Sequence, residues 1–183
     1  AHHEGLICLS GGPEGPVGRL LAQGQRPKAE ALVRDLAAIF PERLYIELQR
    51  HPIEGGLPAA EKASERGHLE IAYAMDLPIV ATNDAYFPKP EFYEAHDALI
   101  CIAEGAYVDQ QEPRRRLTPQ HYFKSPEEMA TLFADLPEAL DNTVEIARRC
   151  AFAAYKRAPI LPKFADDEVE ELRRQAQEGL AAR

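Results

Sequence analysis

Cysteine is scarce in this chain: there are three, Cys8, Cys101 and Cys150, and they lie far apart. None has the paired spacing of a metal knuckle, which excludes a cysteine-built zinc centre, and their odd number argues against a disulfide framework. Free thiols in a reducing cytoplasm are expected. No apolar run is long enough to span a membrane. No charged start leads into an apolar core, so no signal peptide is read. An initiator Met is also missing: the chain opens on Ala1-His2-His3-Glu4 and enters an apolar run at once, which suggests a piece of something longer. Positive charge is in deficit, with 21 Lys and Arg against 30 Asp and Glu, a formal net charge of -9. Tight non-specific binding to DNA or to an acidic membrane is not expected of such a stretch alone. Internal repeats, low-complexity segments and a nucleophile elbow are absent too.

What is present is a chain of 183 residues with 45% apolar content, enough for one domain with a sizeable core. Gly5–Ser10 is a short apolar run closed by Gly11-Gly12-Pro13, a buried strand and a turn. Pro27–Phe40 places Ala31, Leu32, Leu36 and Ile39 at helical spacing. Leu44–Leu48 reads as a second strand. Leu57–Met75 reads as a long charged helix with Ala60, Ala63, Ile71, Ala72 and Met75 inside, and Pro78–Thr82 as a third strand. This alternation favours a parallel sheet or barrel.

After Asp84 no clear strand follows. Glu91–Ala103 predicts a helix with Phe92, Ala95, Leu99 and Ile102 as its apolar side. Ser125-Pro126-Glu127-Glu128 is a capping-box helix start. Pro137 opens another helix, with Leu140, Val144, Ala147 and Ala151 on one side. Pro159–Phe164 is an extended linker because its prolines prevent regular helix. Asp167–Ala182 is a final amphipathic helix, read as the start of a further domain.

The stretch Pro78-Ile79-Val80-Ala81-Thr82-Asn83-Asp84-Ala85-Tyr86-Phe87 carries the main chemical signal. Parallel α/β folds place chemistry at the C-terminal edge of their strands, and Asp84 stands there. Asp-x-His would make a plausible pair of metal ligands. Here the triplet is Asp84-Ala85-Tyr86, and a phenol does not replace a neutral imidazole as a nitrogen ligand. The segment reads as a metal site that has lost a ligand, with Asp84 either a ligand in the intact protein or a strand-end hydrogen-bonding group.

The other candidates have blander expectations. Glu47 is expected to face outward from an alternating strand, with a barrel interior as the alternative. His51 is expected to be solvated, with a phosphate or metal contact as the alternative. His96-Asp97 is expected to pack against the sheet edge. His68 is expected to be exposed, and His121 to have a local role in a first helical turn. His2-His3 reads as a frayed end rather than a metal pair. Gly11–Gly18 is a tight turn, since no Lys follows as a phosphate loop requires and no dinucleotide fingerprint is present. Arg114-Arg115-Arg116 is expected to be a solvated loop, with contact to a phosphate backbone or an acidic partner as the alternative.

Six segments in order carry a resemblance: Gly5–Gly12, Leu44–Arg50, Leu77–Asp84, Glu94–Asp97, Tyr122–Met129 and Pro137–Cys150, with Leu161-Pro162-Lys163-Phe164 closing the series. They resemble the bacterial replicative DNA polymerase III alpha subunits, in the second half of the PHP domain (polymerase and histidinol phosphatase) and its exit toward the palm. The resemblance implies an α/β fold: part of a distorted (β/α)7 barrel, three strands of it, followed by an all-helical C-terminal segment. It implies residues 1–104 as the C-terminal half of the PHP domain. Residues 105–158 would then be a helical extension, and 159–183 a linker with the first helix of the next domain.

In metal-using members the position matching Gly12 is a Cys and the position matching Tyr86 a His, and the early His-x-His ligands lie upstream of residue 1. The implied site at Gly12, Asp84 and Tyr86 is therefore degenerate, with no metal and no catalytic residue expected here. The parent chain would be a DNA-directed DNA polymerase, a nucleotidyltransferase of chromosomal replication using Mg. Its implied partners are the proofreading exonuclease (epsilon) subunit and other replicase subunits, with DNA held only through the parent chain. The alternative is a free-standing PHP-type metal-dependent phosphoesterase. Sheet edges left unpaired would also permit a homodimer.

Overall fold

The computed structural model describes residues 3–159 and 162–183. Its sheet has three parallel strands, β1 (Cys8–Leu9), β2 (Leu44–Gln49) and β3 (Ile79–Thr82), in the order β1-β2-β3, with Cys8 opposite Leu44 and Ile46 opposite Ile79. Parallel neighbours require a crossover, and helices supply both. Helices α1 (Pro16–Ala22) and α2 (Arg26–Ile39) join β1 to β2, and α3 (Ala59–Ala74) joins β2 to β3. Beyond β3 a single 3-10 turn (Pro90–Phe92) leads into α4 (Tyr93–Glu104), followed by α5 (Pro126–Leu132), α6 (Pro137–Arg149) and α7 (Glu168–Ala181). This is the mixed α/β architecture expected of a partial PHP-type fold.

Side chains alternate along a strand, and β2 shows the consequence. Leu44, Ile46 and Leu48 join Ile79 and Ala81 in an apolar core filled by Val17, Ala29, Val33, Ile71 and Ala72 from the crossover helices. Phe133, Leu136 and Ala139 close the same core from the turn that starts α6. Helix α1 approaches α3 closely because Gly67 presents no side chain, and a Cβ there would collide with Leu21. Along β3, Asn142 of α6 donates its Nδ2 to the Ile79 carbonyl at 2.8 Å.

The chain divides into two compact units, Ala1–Cys150 and Ala151–Arg183. The second holds α7, whose N-cap Asp167 accepts hydrogen bonds from the amides of Val169 and Glu170 at 3.1 and 3.0 Å. Ile160 and Leu161 of the expected linker, and His2 of the expected frayed end, lie outside the described residues.

Several helix faces differ from expectation. In α2 the buried residues are Ala29 and Val33, while Ala31 and Ile39 are exposed. In α3 Ala60 and Ala63 are exposed, and Glu61, Ser64 and His68 point inward with Ile71 and Ala72. His68 is thus buried, not solvated. The first turn of α3 looks onto the end of β2, where the Glu61 carboxylate finds a partner in His51 that apolar spacing does not reveal. In α4 the apolar side chosen from spacing faces out: Leu99 is 61% and Ile102 78% exposed, and Asp97, Ile100 and Cys101 are the buried residues.

Candidate functional site

The C-terminal ends of all three strands meet in a cleft of about 600 Å³, whose walls include Gln49, His51, Glu61, Asp84, Tyr86, Arg115 and His121. Glu61 stands in the first turn of α3 and reaches back to the end of β2. Its Oε2 accepts from the His51 amide at 2.8 Å, and its Oε1 lies 2.9 Å from His51 Nδ1. Because a carboxylate only accepts, Nδ1 carries the proton. Nε2 is then buried without a hydrogen-bond partner among the described residues. His51 is not the solvated loop histidine that was expected.

His121 covers it. The two imidazoles stack with centroids 3.8 Å apart and planes 2° from parallel. His121 sits in a turn rather than in a first helical turn, and its Nδ1 accepts from the Thr118 amide at 3.1 Å. Burial, then the adjacent His51, lower its pKa to about 4. The column continues through Tyr86, whose ring centroid lies 6.0 Å from that of His121 and whose amide donates to the His121 carbonyl at 2.8 Å. Arg115 ends it. Its Nη2 donates to the Tyr86 hydroxyl at 3.2 Å and its guanidinium stands 5.7 Å from the ring centroid.

Glu47 does not simply face solvent. Its Oε1 accepts from Thr82 Oγ1 at 2.5 Å and from Gln49 Nε2 at 3.1 Å, which joins the polar faces of β2 and β3. Gln49 in turn fills the space beside Gly12, where a Cβ would collide with its amide. Asp84 is half-buried and opens both to the cleft and to a neighbouring groove lined by α5 and α6 residues.

The arginine run is not uniformly solvated either. The Arg114 side chain is covered and grips Asp97 with two hydrogen bonds of 2.7 and 2.6 Å, holding the Asp97 carboxyl below its ordinary pKa. His96 does not pack on the sheet edge; its ring meets Phe87 and Tyr86, each 5.5 Å away.

Sequence reasoning missed two residues that build the site. Glu61 had one signal, an acid in the first turn of a helix shortly after a histidine at a strand end. Arg50 had none beyond a charge beside a buried strand. It donates to Glu65 at 2.8 Å twice, to Asp135 at 2.6 and 2.9 Å and to the Leu132 carbonyl at 2.8 Å. It thereby ties β2, α3 and the turn between α5 and α6 behind the cleft.

The profile described as "PHP domain" matches residues 1–51. Over its full length the chain is 56% identical to the DNA polymerase III subunit alpha of Caulobacter vibrioides, of which it covers 16%. It is 45% identical to that of Pseudomonas aeruginosa over 88% of this chain and 13% of the relative. With that of Escherichia coli it shares 40% identity over 99% of this chain and 15% of the relative. What it matches throughout is one stretch of the DNA polymerase III alpha subunits. It spans about a sixth of the length of these relatives.

Metal-using PHP domains set the test for this cleft, and its residues at Gly12 and Tyr86 do not fit a metal centre. Gly12 offers no donor atom, and Gln49 occupies the space beside it. Tyr86 is a phenol engaged by Arg115. Among the described residues no three of His, Cys, Asp and Glu converge in a metal-holding geometry. Charge in the cleft is balanced internally instead, with Arg19, Arg115 and Arg116 against Glu14, Glu61 and Asp84.

Proposed function

We propose that this chain is a stretch of a replicative DNA polymerase III alpha subunit, a Mg-using DNA-directed DNA polymerase of the cytoplasm. In it the PHP-type fold is a scaffold without hydrolytic chemistry that helps dock the proofreading exonuclease subunit. The observation that carries the non-hydrolytic part is the packing of the cleft. Water activation by bound metals needs convergent donors and an open coordination position. Here Gln49 takes up the space beside Gly12, which has no donor atom, and Tyr86 presents a phenol held by Arg115 in place of an imidazole.

Three measurements on the full gene product test this. Hydrolysis of p-nitrophenyl phosphate and of single-stranded DNA 3′ ends, with Mn²⁺ or Zn²⁺ added, should not exceed a protein-free blank. Tyr86→His alone should leave that result unchanged, because Gln49 and Arg115 remain in place. Metal-dependent turnover in the unmutated chain would overturn the scaffold reading in favour of a PHP-type phosphoesterase. Co-purification with the exonuclease subunit tests the docking part independently, and failure to co-purify at micromolar concentrations would remove it.

A further inference from the structure

The outward face of α4 is apolar where a free surface would be polar. Phe92, Ala95, Leu99 and Ile102 follow the 3-4-3 spacing of a helix-packing seam. Phe92, Leu99 and Ile102 are exposed, and Tyr107 and Val108 add to the exposed apolar surface in the loop that follows. Patches of this kind mark surfaces that something covers. The opposite side of α4 is already in use: Ile100 and Cys101 are buried there, and Asp97 is gripped by Arg114. Arg114 also donates to the Val108 carbonyl at 3.1 Å, so helix and loop are held in one shape.

Acids flank the seam. Glu91, Glu94, Glu104 and Asp109 are all exposed, and none is in an ion pair among the described residues. A second copy of this chain would bring the same four acids against them, which disfavours self-association through this face. The matched relatives continue far beyond this stretch, which covers only 13 to 16% of them. An apolar centre with few polar groups is the composition of a permanently covered surface rather than a transient one.

We propose that the α4 seam seats an apolar, cation-flanked surface of the same polypeptide, from sequence outside residues 1–183. This rests on the reading of the chain as part of a longer alpha subunit. The test uses the full gene product, purified alone, with single Leu99→Cys and Ile102→Cys variants. Maleimide labelling is followed at each introduced cysteine by peptide mass spectrometry, so that Cys8, Cys101 and Cys150 do not confuse it. Labelling at least tenfold slower than that of a thiol peptide is expected, and Glu94→Lys with Glu104→Lys should accelerate it. Hydroxyl-radical footprinting of Leu99, Ile102 and Tyr107 in the unmutated protein reads the same face should either cysteine variant fail to fold.

Labelling as fast as the peptide overturns the inference. So does protection that needs the exonuclease subunit, or that grows with protein concentration, since these assign the face to a separate protein or a second copy. A long gene product that polymerises DNA yet leaves the seam open sinks this inference alone. A gene that ends at residue 183 sinks both readings.

Discussion

Arg50 is a buried cation whose two carboxylate partners differ in their surroundings. Glu65 is nearly covered, with 15% of its side chain exposed, while Asp135 is 63% exposed. Removing one partner of a buried pair leaves the other charge uncompensated, at a cost of about 3 kcal/mol or more, whereas an exposed partner contributes under ~1 kcal/mol. Arg50→Met should therefore lower the urea midpoint several times further than Asp135→Ala does. Equal losses would mean that the Asp135 arm carries the whole contribution of Arg50 and the Glu65 arm none.

His68 brings a different liability. Burial lowers its pKa from 6.5 to about 4, so between these values the unfolded chain holds the proton that the folded chain refuses. Stability is intact above about pH 6.5 and falls as the pH drops toward 4, by about 3 kcal/mol for a shift of this size. His121, also lowered to about 4 but less enclosed, adds a smaller loss over the same window. His68→Leu should flatten the fall when thermal midpoints are compared between pH 7 and pH 4.5.

Among the elements, β2, β3 and most helix starts were legible, while helix orientation was not, nor was α1, which begins at Pro16 within the Gly11–Gly18 stretch read as a tight turn. β2 and β3 announce themselves as apolar runs, and the α5 start is written in Ser125 and Glu128, whose reciprocal capping bonds are present. Spacing within α4 identified a real apolar stripe at Phe92, Leu99 and Ile102, but periodicity fixes only that a stripe exists. Which way it faces depends on neighbours distant in sequence. For α4 those are Arg114 and Phe87, which draw Asp97 and His96 toward themselves. The same limit hid the cleft. Asp84 and Gly12 were legible as strand-end positions, because parallel strands bring such ends together. Glu61 meets His51, and His121 stacks on it, only through tertiary placement. Short-range rules therefore read each histidine as solvated or local.

At the scale of the whole molecule, charge decides what this stretch can hold. Its formal net charge is -9, and the arginines that would attract phosphate are engaged elsewhere. Arg50 serves Glu65 and Asp135, Arg114 serves Asp97, and Arg115 lies on Tyr86. Non-specific affinity for duplex DNA comes from releasing counterions with free cations, and dissociation constants of ~1 to ~100 µM at physiological salt are typical where such cations are available. A chain whose cations are outnumbered, and several of them paired, should bind more weakly than that range, with a shallow dependence on salt. Fluorescence anisotropy of a labelled duplex titrated with residues 1–183 checks this. Sub-micromolar binding at physiological salt, falling steeply as salt is raised, would mean that Arg115, Arg116 and Arg19 leave the cleft to meet phosphate. The proposal that DNA is held only through the rest of the parent chain would then fail.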